Sequence, residues 1–121
     1  MFNVPGVEME VVEIARVAAL LRRYPRAERR LFTAGERAYC APRRKAPQHY
    51  TARLAAKIAA RRALGGGMLG EFEVLRDEAG APSLRLSGRA ADLSGGCGWL
   101  LSLSHDAGVA VAVVAKIEAG R

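Results

Sequence analysis

The chain has 121 residues, half of them hydrophobic and 26% charged, which suits one soluble domain with a modest core. No apolar run reaches the roughly 20 residues of a membrane span. Two cysteines far apart in sequence, Cys40 and Cys97, argue against a disulfide framework or a zinc site. The net charge of +7 is uneven: 14 of the 19 Lys and Arg residues fall between Arg16 and Arg62, opposed there only by Glu28 and Glu36. Such a field attracts an acidic partner, whether nucleic acid, an anionic membrane, a phosphate-bearing small molecule or an acidic protein. Met1–Pro5 lacks a basic region followed by an apolar segment, so no leader is expected and the cytoplasm is the default location.

Residues 6–12 alternate apolar and acidic before turning apolar, which predicts a strand. Ile14, Val17, Ala18 and Leu21 then recur at helical spacing up to Tyr24-Pro25, with Arg16 and Arg23 two turns apart on the other side. A short helix is predicted from Ala27 to Phe32. Thr33-Ala34-Gly35-Glu36 has the form of a capping box and should open a helix ending before Pro42. Pro42 to Pro47 reads as a basic loop, and a central helix begins near Gln48. After Gly70, residues 72–76 and 83–87 alternate around a turn-rich connection and predict a hairpin. A short helix from Arg89 to Leu93 follows. Two further strands, Trp99 to Ser104 and Val109 to Ile117, are joined by His105-Asp106-Ala107-Gly108. The pattern is one α+β domain over residues 1–121: strand, helices, then an antiparallel meander.

The central helix organises the rest. Thr51 to Leu64 contains no Gly or Pro and is rich in Ala, Leu and Arg, the best helix formers. Gly65 is placed to cap it in the left-handed conformation. Arg53, Lys57 and Arg61 repeat every four residues, so their cations should line one face beside the apolar row of Leu54 and Ile58. A cationic face next to Gly65-Gly66-Gly67 could seat a phosphorylated ligand, or it could be a solvated face of a packing helix.

Several strings, in order, resemble bacterial holo-acyl-carrier-protein synthases, which are small 4′-phosphopantetheinyl transferases. Gly6-Val7-Glu8-Met9-Glu10-Val11-Val12-Glu13-Ile14-Ala15-Arg16 resembles their opening Gly-Ile-Asp-Ile-Val-Glu-Ile-x-Arg, and Leu31-Phe32-Thr33-Ala34-Gly35-Glu36 their Leu-Thr-x-x-Glu. Ala52-Arg53-Leu54-Ala55-Ala56-Lys57-Ile58-Ala59 is similar to Ala-x-Arg-Phe-Ala-Ala-Lys-Glu-Ala, and Ala63 to Gly67 to Ala-Leu-Gly-Thr-Gly. Glu73 to Pro82 resembles the family hairpin, and Leu101-Ser102-Leu103-Ser104-His105 its Val-Ser-Leu-Ser-His. The matches run from about residue 6 to residue 115.

The resemblance implies an α+β domain that assembles as a homotrimer with active sites at subunit interfaces. It implies transfer of the phosphopantetheine arm of coenzyme A to a serine of an acyl carrier protein, with magnesium on the diphosphate. Phosphoryl transfer of this kind depends mostly on positioning and charge neutralisation. Glu10 and Lys57 would be catalytic. Arg53, Lys57, Arg61, Arg62, Gly65, Gly67, Ser104 and His105 would contact coenzyme A, and Arg16 and Arg23 would receive the acidic carrier.

Two positions depart from the pattern. Glu10 stands where the family has a metal-binding aspartate. Ile58 stands where it has the second carboxylate, and Ile can neither bind a metal nor accept a proton. Water could replace the lost ligand, or Glu8, Glu13 or Glu36 could compensate. A second reading is a non-catalytic module that binds coenzyme A or a carrier protein. A third, nucleic-acid binding, rests on Tyr24, Phe32, Tyr39 and Tyr50 among the cations, but no known reading motif accompanies them.

Overall fold

The alternation that begins at Val7 forms strand β1 (Val7–Glu13), which runs directly into helix α1 (Ile14–Arg23). The structure, a computed structural model, describes residues 5–118; residues 1–4, on which most of the leader reading rests, lie outside them, as do residues 119–121. Side chains of a strand alternate sides, so Val7, Met9 and Val11 are exposed outward while Glu8, Glu10 and Val12 turn toward the helices. Helix α2 (Pro25–Leu31) starts two residues before the predicted Ala27, because a proline loses no hydrogen bond in a first turn.

The capping box forms as predicted and opens α3 (Ala34–Cys40). The Glu36 N–H donates to Thr33 Oγ1 at 3.2 Å, and the Thr33 N–H donates to Glu36 Oε1 at 2.9 Å. The central helix α4 (Ala46–Leu64) takes Pro47 into its first turn, which moves its start ahead of Gln48. It ends at Gly65, whose φ of +87° and N–H bond to the Arg61 carbonyl at 2.9 Å make the predicted left-handed cap. A 3-10 turn (Leu69–Glu71), which no sequence signal marks, leads into β2 (Phe72–Arg76). Strand β3 (Pro82–Leu86), helix α5 (Gly88–Ser94), β4 (Gly98–Asp106) and β5 (Val109–Ile117) complete the described chain.

The expected meander is two sheets. Strands β2 and β3 pair alone, whereas β1 returns to the far edge of β5 to give the antiparallel order β1-β5-β4. Val7 lies opposite Ala115 and Glu13 opposite Val109, while β4 pairs with β5 from Gly98–Ile117 to Asp106–Val109. Strand β4 is therefore longer than predicted. His105 is a strand residue opposite Ala110, and only Ala107-Gly108 turns the chain.

Helix α4 is enclosed. Ala55, Ala56, Ala59 and Ala60 pack with Phe72, Val74, Ala90, Ala112 and Val114, the small side chains letting the sheets approach closely. Across the helix, Leu54 and Tyr50 join Val17, Phe32 and Cys40, with Ile58 packed against them. Both cysteines are free, and burial pushes the Cys40 thiol up to about 11.

That enclosure corrects the expected cationic face: Arg53 and Lys57 are 1% and 0% exposed, and only Arg61 emerges. The Lys57 ammonium donates to Glu36 Oε1 at 2.6 Å and to the Leu31 carbonyl. Glu36 Oε2 accepts the Val74 N–H at 2.9 Å, which ties α3, α4 and β2 together. Removing one member of a buried ion pair leaves the other uncompensated, which costs about 3–5 kcal/mol. Glu36→Ala is therefore expected to lower the unfolding free energy by about that amount in urea titration, and Glu36→Leu/Lys57→Met by less.

Candidate functional site

Three groups of polar side chains hold most of the candidate site residues. The first is interior. Lys57 has no exposed surface, and burial lowers its pKa against the opposing pull of Glu36. Arg53 lies beside it on α4 with its guanidinium 4.0 Å from the centre of the Tyr39 ring, which Arg43 also covers at 3.4 Å. Its Nη1 donates weakly to the His49 carbonyl at 3.4 Å, and its Nε has no protein partner among the described residues. Burial, then Arg53 and Arg43, lower the pKa of His49. These residues hold α3 against α4. Lys57 points to Glu36 rather than to Glu10, so the direct phosphate and catalytic contacts expected of it have no surface to act from in this chain.

The second group lies on the rim between β1 and the end of α4. Arg62 reaches back from the last turn of α4 to Glu8 Oε1 at 3.3 Å and Glu10 Oε2 at 3.1 Å. The hydrogen bonds it donates to Glu8 and Glu10 hold its guanidinium above its ordinary pKa. Arg61, next to it, donates from Nε to the Gly67 carbonyl at 2.6 Å and lines a hollow of about 330 Å³ with Arg30, Leu31 and Met68. The two glycines expected at a phosphate have local work here. Gly65 caps the helix, and a Cβ at Gly67 would stand 3.0 Å from Ala90 Cβ and 3.2 Å from the Phe72 ring.

The third group lines a groove of about 590 Å³ between the start of α1, the start of α4 and the β4–β5 turn. His105 and Asp106 form one wall and Lys45 and Gln48 the other. Lys45 and Gln48 carry no motif that would have singled them out, because only the return of β5 to β1 sets the turn against α4. Ser104 does not share this groove. It alternates to the outer face of the sheet, opposite Val111. Arg16 and Arg23 are exposed on α1 as predicted, with Arg22, Arg26, Arg29 and Arg30 nearby in sequence and also exposed.

The donors present do not fit the magnesium that the family resemblance implies. Ile58 supplies no oxygen and packs against the apolar cluster of Val17 and Leu54. Of the carboxylates that could compensate, Glu36 is buried and saturated by Lys57, Thr33 and Val74. Glu13 faces outward from β1, on the side opposite Glu10. Glu8 is near Glu10, but Arg62 engages both. Among the described residues no group of three or more His, Cys, Asp or Glu side chains could hold a metal ion.

No family model matches the chain. A holo-acyl-carrier-protein synthase of Streptomyces griseus is 47% identical over 116 residues, 90% of this chain and 94% of that one. The synthase of Chronobacterium ammoniagenes, solved in complex with coenzyme A, superposes with a TM-score of 0.82 at 27% identity, covering 98% of this chain and 100% of that one. The Helicobacter pylori synthase, also with coenzyme A, gives a TM-score of 0.79 at 25% identity over 91% and 98% of the two chains.

The contrast between interior and groove is measurable. An amine-reactive reagent followed by peptide mass spectrometry is expected to modify exposed Lys45 in the native protein and to leave Lys57 untouched until the chain is unfolded.

Proposed function

Because the chain belongs to the holo-acyl-carrier-protein synthase family, we propose that it transfers the 4′-phosphopantetheine arm of coenzyme A to a serine of an acyl carrier protein. The likeness to the Streptomyces griseus synthase over nearly its whole length carries this reading. In the reaction the serine oxygen bonds to the phosphorus next to the pantetheine, the diphosphate P–O bond breaks, and adenosine 3′,5′-bisphosphate leaves. Catalysis then rests on holding the phosphates and offsetting their charge.

Lys45 and His105, across the groove, are cationic or hydrogen-bonding groups suited to the phosphates of the coenzyme. Arg62, with Arg61 at the neighbouring rim, adds donors beside Glu10. Lys57 and Arg53 enter as the buried frame that fixes α4, not as surface ligands. The exposed arginines of α1 and α2, Arg16 and Arg23 among them, complement an acidic carrier. No step is routed through magnesium, since its donor set is incomplete. We assign residues 1–121 to one domain. We place the chain in the cytoplasm; no helix among the described residues is long and apolar enough to cross a membrane.

The outer face of the three-stranded sheet supports assembly as a homotrimer. Met9 and Leu100 are 60% and 62% exposed, and Val7, Val11 and Val113 continue the same apolar surface. An apolar sheet face of this kind marks an interface. Light scattering on the purified protein is expected to return three chains per particle, and Met9→Arg with Leu100→Arg should release monomers. A wild-type monomer at working concentration would end the trimer reading.

Ile58 favours one alternative, a non-catalytic module that binds coenzyme A or a carrier, because losing a candidate general base costs roughly 10²–10⁴-fold in rate. Apo-carrier incubated with coenzyme A and the protein should gain the mass of the phosphopantetheine arm. Saturable coenzyme A binding with no mass gain on any plausible carrier would decide for the module instead.

A further inference from the structure

Where β1 meets the last turn of α4, the side chains form an arrangement that transfer alone does not call for. Glu8 and Glu10 stand two residues apart on the same side of β1, so two like charges lie side by side. Arg62 sits against both. Its Nη1 donates to Glu8 Oε1 at 3.3 Å and to the Met9 carbonyl at 3.4 Å, and its Nη2 donates to Glu10 Oε2 at 3.1 Å. Glu10 Oε1 accepts the Val11 N–H at 3.3 Å, so each oxygen of Glu10 already has a donor. Ile58 lies one turn earlier on the same face of α4 and offers only an apolar surface.

A divalent cation such as magnesium demands an octahedron of oxygens and sheds water reluctantly. At this rim it would have to displace a guanidinium, and it would find no carboxylate on α4 to share. A guanidinium has other properties. Its charge is permanent, and its N–H donors are set in a planar fork that matches phosphate oxygens. The Arg62 side chain is 48% exposed, and three donor contacts engage part of its fork. The remaining N–H groups have no partner among the described residues and can meet a phosphate oxygen arriving from solvent.

We propose that Arg62 takes over at Glu10 the charge-neutralising role of a divalent cation, so that this chain binds a diphosphate ester without one. The identity of the ester rests on the transferase reading; the displacement of the cation by Arg62 does not. Two measurements test it. In the first, paramagnetic resonance follows free manganese as wild-type protein is added without ligand. No loss of free signal is expected for the wild type, whereas Ile58→Glu/Arg62→Ala, which restores a carboxylate and removes the guanidinium, should bind the ion. Manganese bound by the wild type would overturn the proposal.

In the second, calorimetry with coenzyme A is run in excess chelator and in excess magnesium. The wild-type dissociation constant is expected to agree between the two within about twofold. Arg62→Ala should weaken binding by roughly tenfold or more in both, and Arg62→Lys by less because the charge remains without the fork. A wild-type affinity that magnesium strengthens about tenfold, or an Arg62→Ala variant that binds as tightly as wild type, would also overturn it. Failure of coenzyme A to bind under either condition would strike the transferase reading, and the manganese experiment would still decide whether Arg62 or a metal occupies Glu10. Circular dichroism of each variant checks that the substitutions, at exposed Arg62 and at the partly buried Ile58, leave the fold intact.

Discussion

The buried pair of Glu36 and Lys57 is the constraint on which the remaining structure depends. A carboxylate and an ammonium with no exposed surface need further hydrogen bonds besides the one between them, because desolvating each ion costs several kcal/mol. Here the carboxylate accepts from Lys57, from the Thr33 N–H and from the Val74 N–H, and the ammonium has the Leu31 carbonyl as its second acceptor. Four elements must be in place at once: the end of α2, the cap of α3, the middle of α4 and strand β2. The pair adds specificity to a helix whose other core face is made largely of alanines, which fit many registers. Thr33 extends the network, since its hydroxyl donates to Glu73 Oε2 at 2.6 Å.

Fixing the middle of α4 in this way determines what its two ends can do. At the start, Lys45 and Gln48 come up against the turn that carries His105 and open the groove. At the end, the left-handed cap at Gly65 stops the helix where Arg62 can reach β1. Between them Ile58 faces apolar neighbours, so the rim lacks the acidic partner that would make it a metal site. The proposed functional surface is therefore divided. A groove holding Lys45, His105 and Asp106 lies on one side, a carboxylate pair held by an arginine lies on another, and a basic helix face stands apart from both. An apolar sheet face, left exposed by one chain, gives the means by which a second copy could bring separated groups together.

Much of this was legible in the residues. Every predicted helix and strand exists, the capping box at Thr33 and the cap at Gly65 form, and the boundaries that moved by more than one residue did so at prolines or at the β4–β5 turn. The family resemblance, resting on short strings in order, is upheld by the synthases of similar sequence. The charge run on α4 misled, because spacing says which side chains share a helix face but not whether that face meets water. Arg53 and Lys57 share a face with Arg61, yet the first two lie under α3 and Tyr39 while the third lies at the rim.

Local order in the sequence determined the elements, their caps and the kinship, since hydrophobic periodicity and capping act over a few residues. It also showed that position 58 holds no carboxylate. Only tertiary structure decided that Glu36 belongs to Lys57, that Arg62 belongs to Glu8 and Glu10, and that His105 faces Lys45. Those partners lie from 21 to 54 residues apart where they bond. The Lys57 bond crosses from α4 to α3 and the Arg62 bonds cross from α4 to β1, so they exist only once those elements have packed, and no local periodicity encodes that packing.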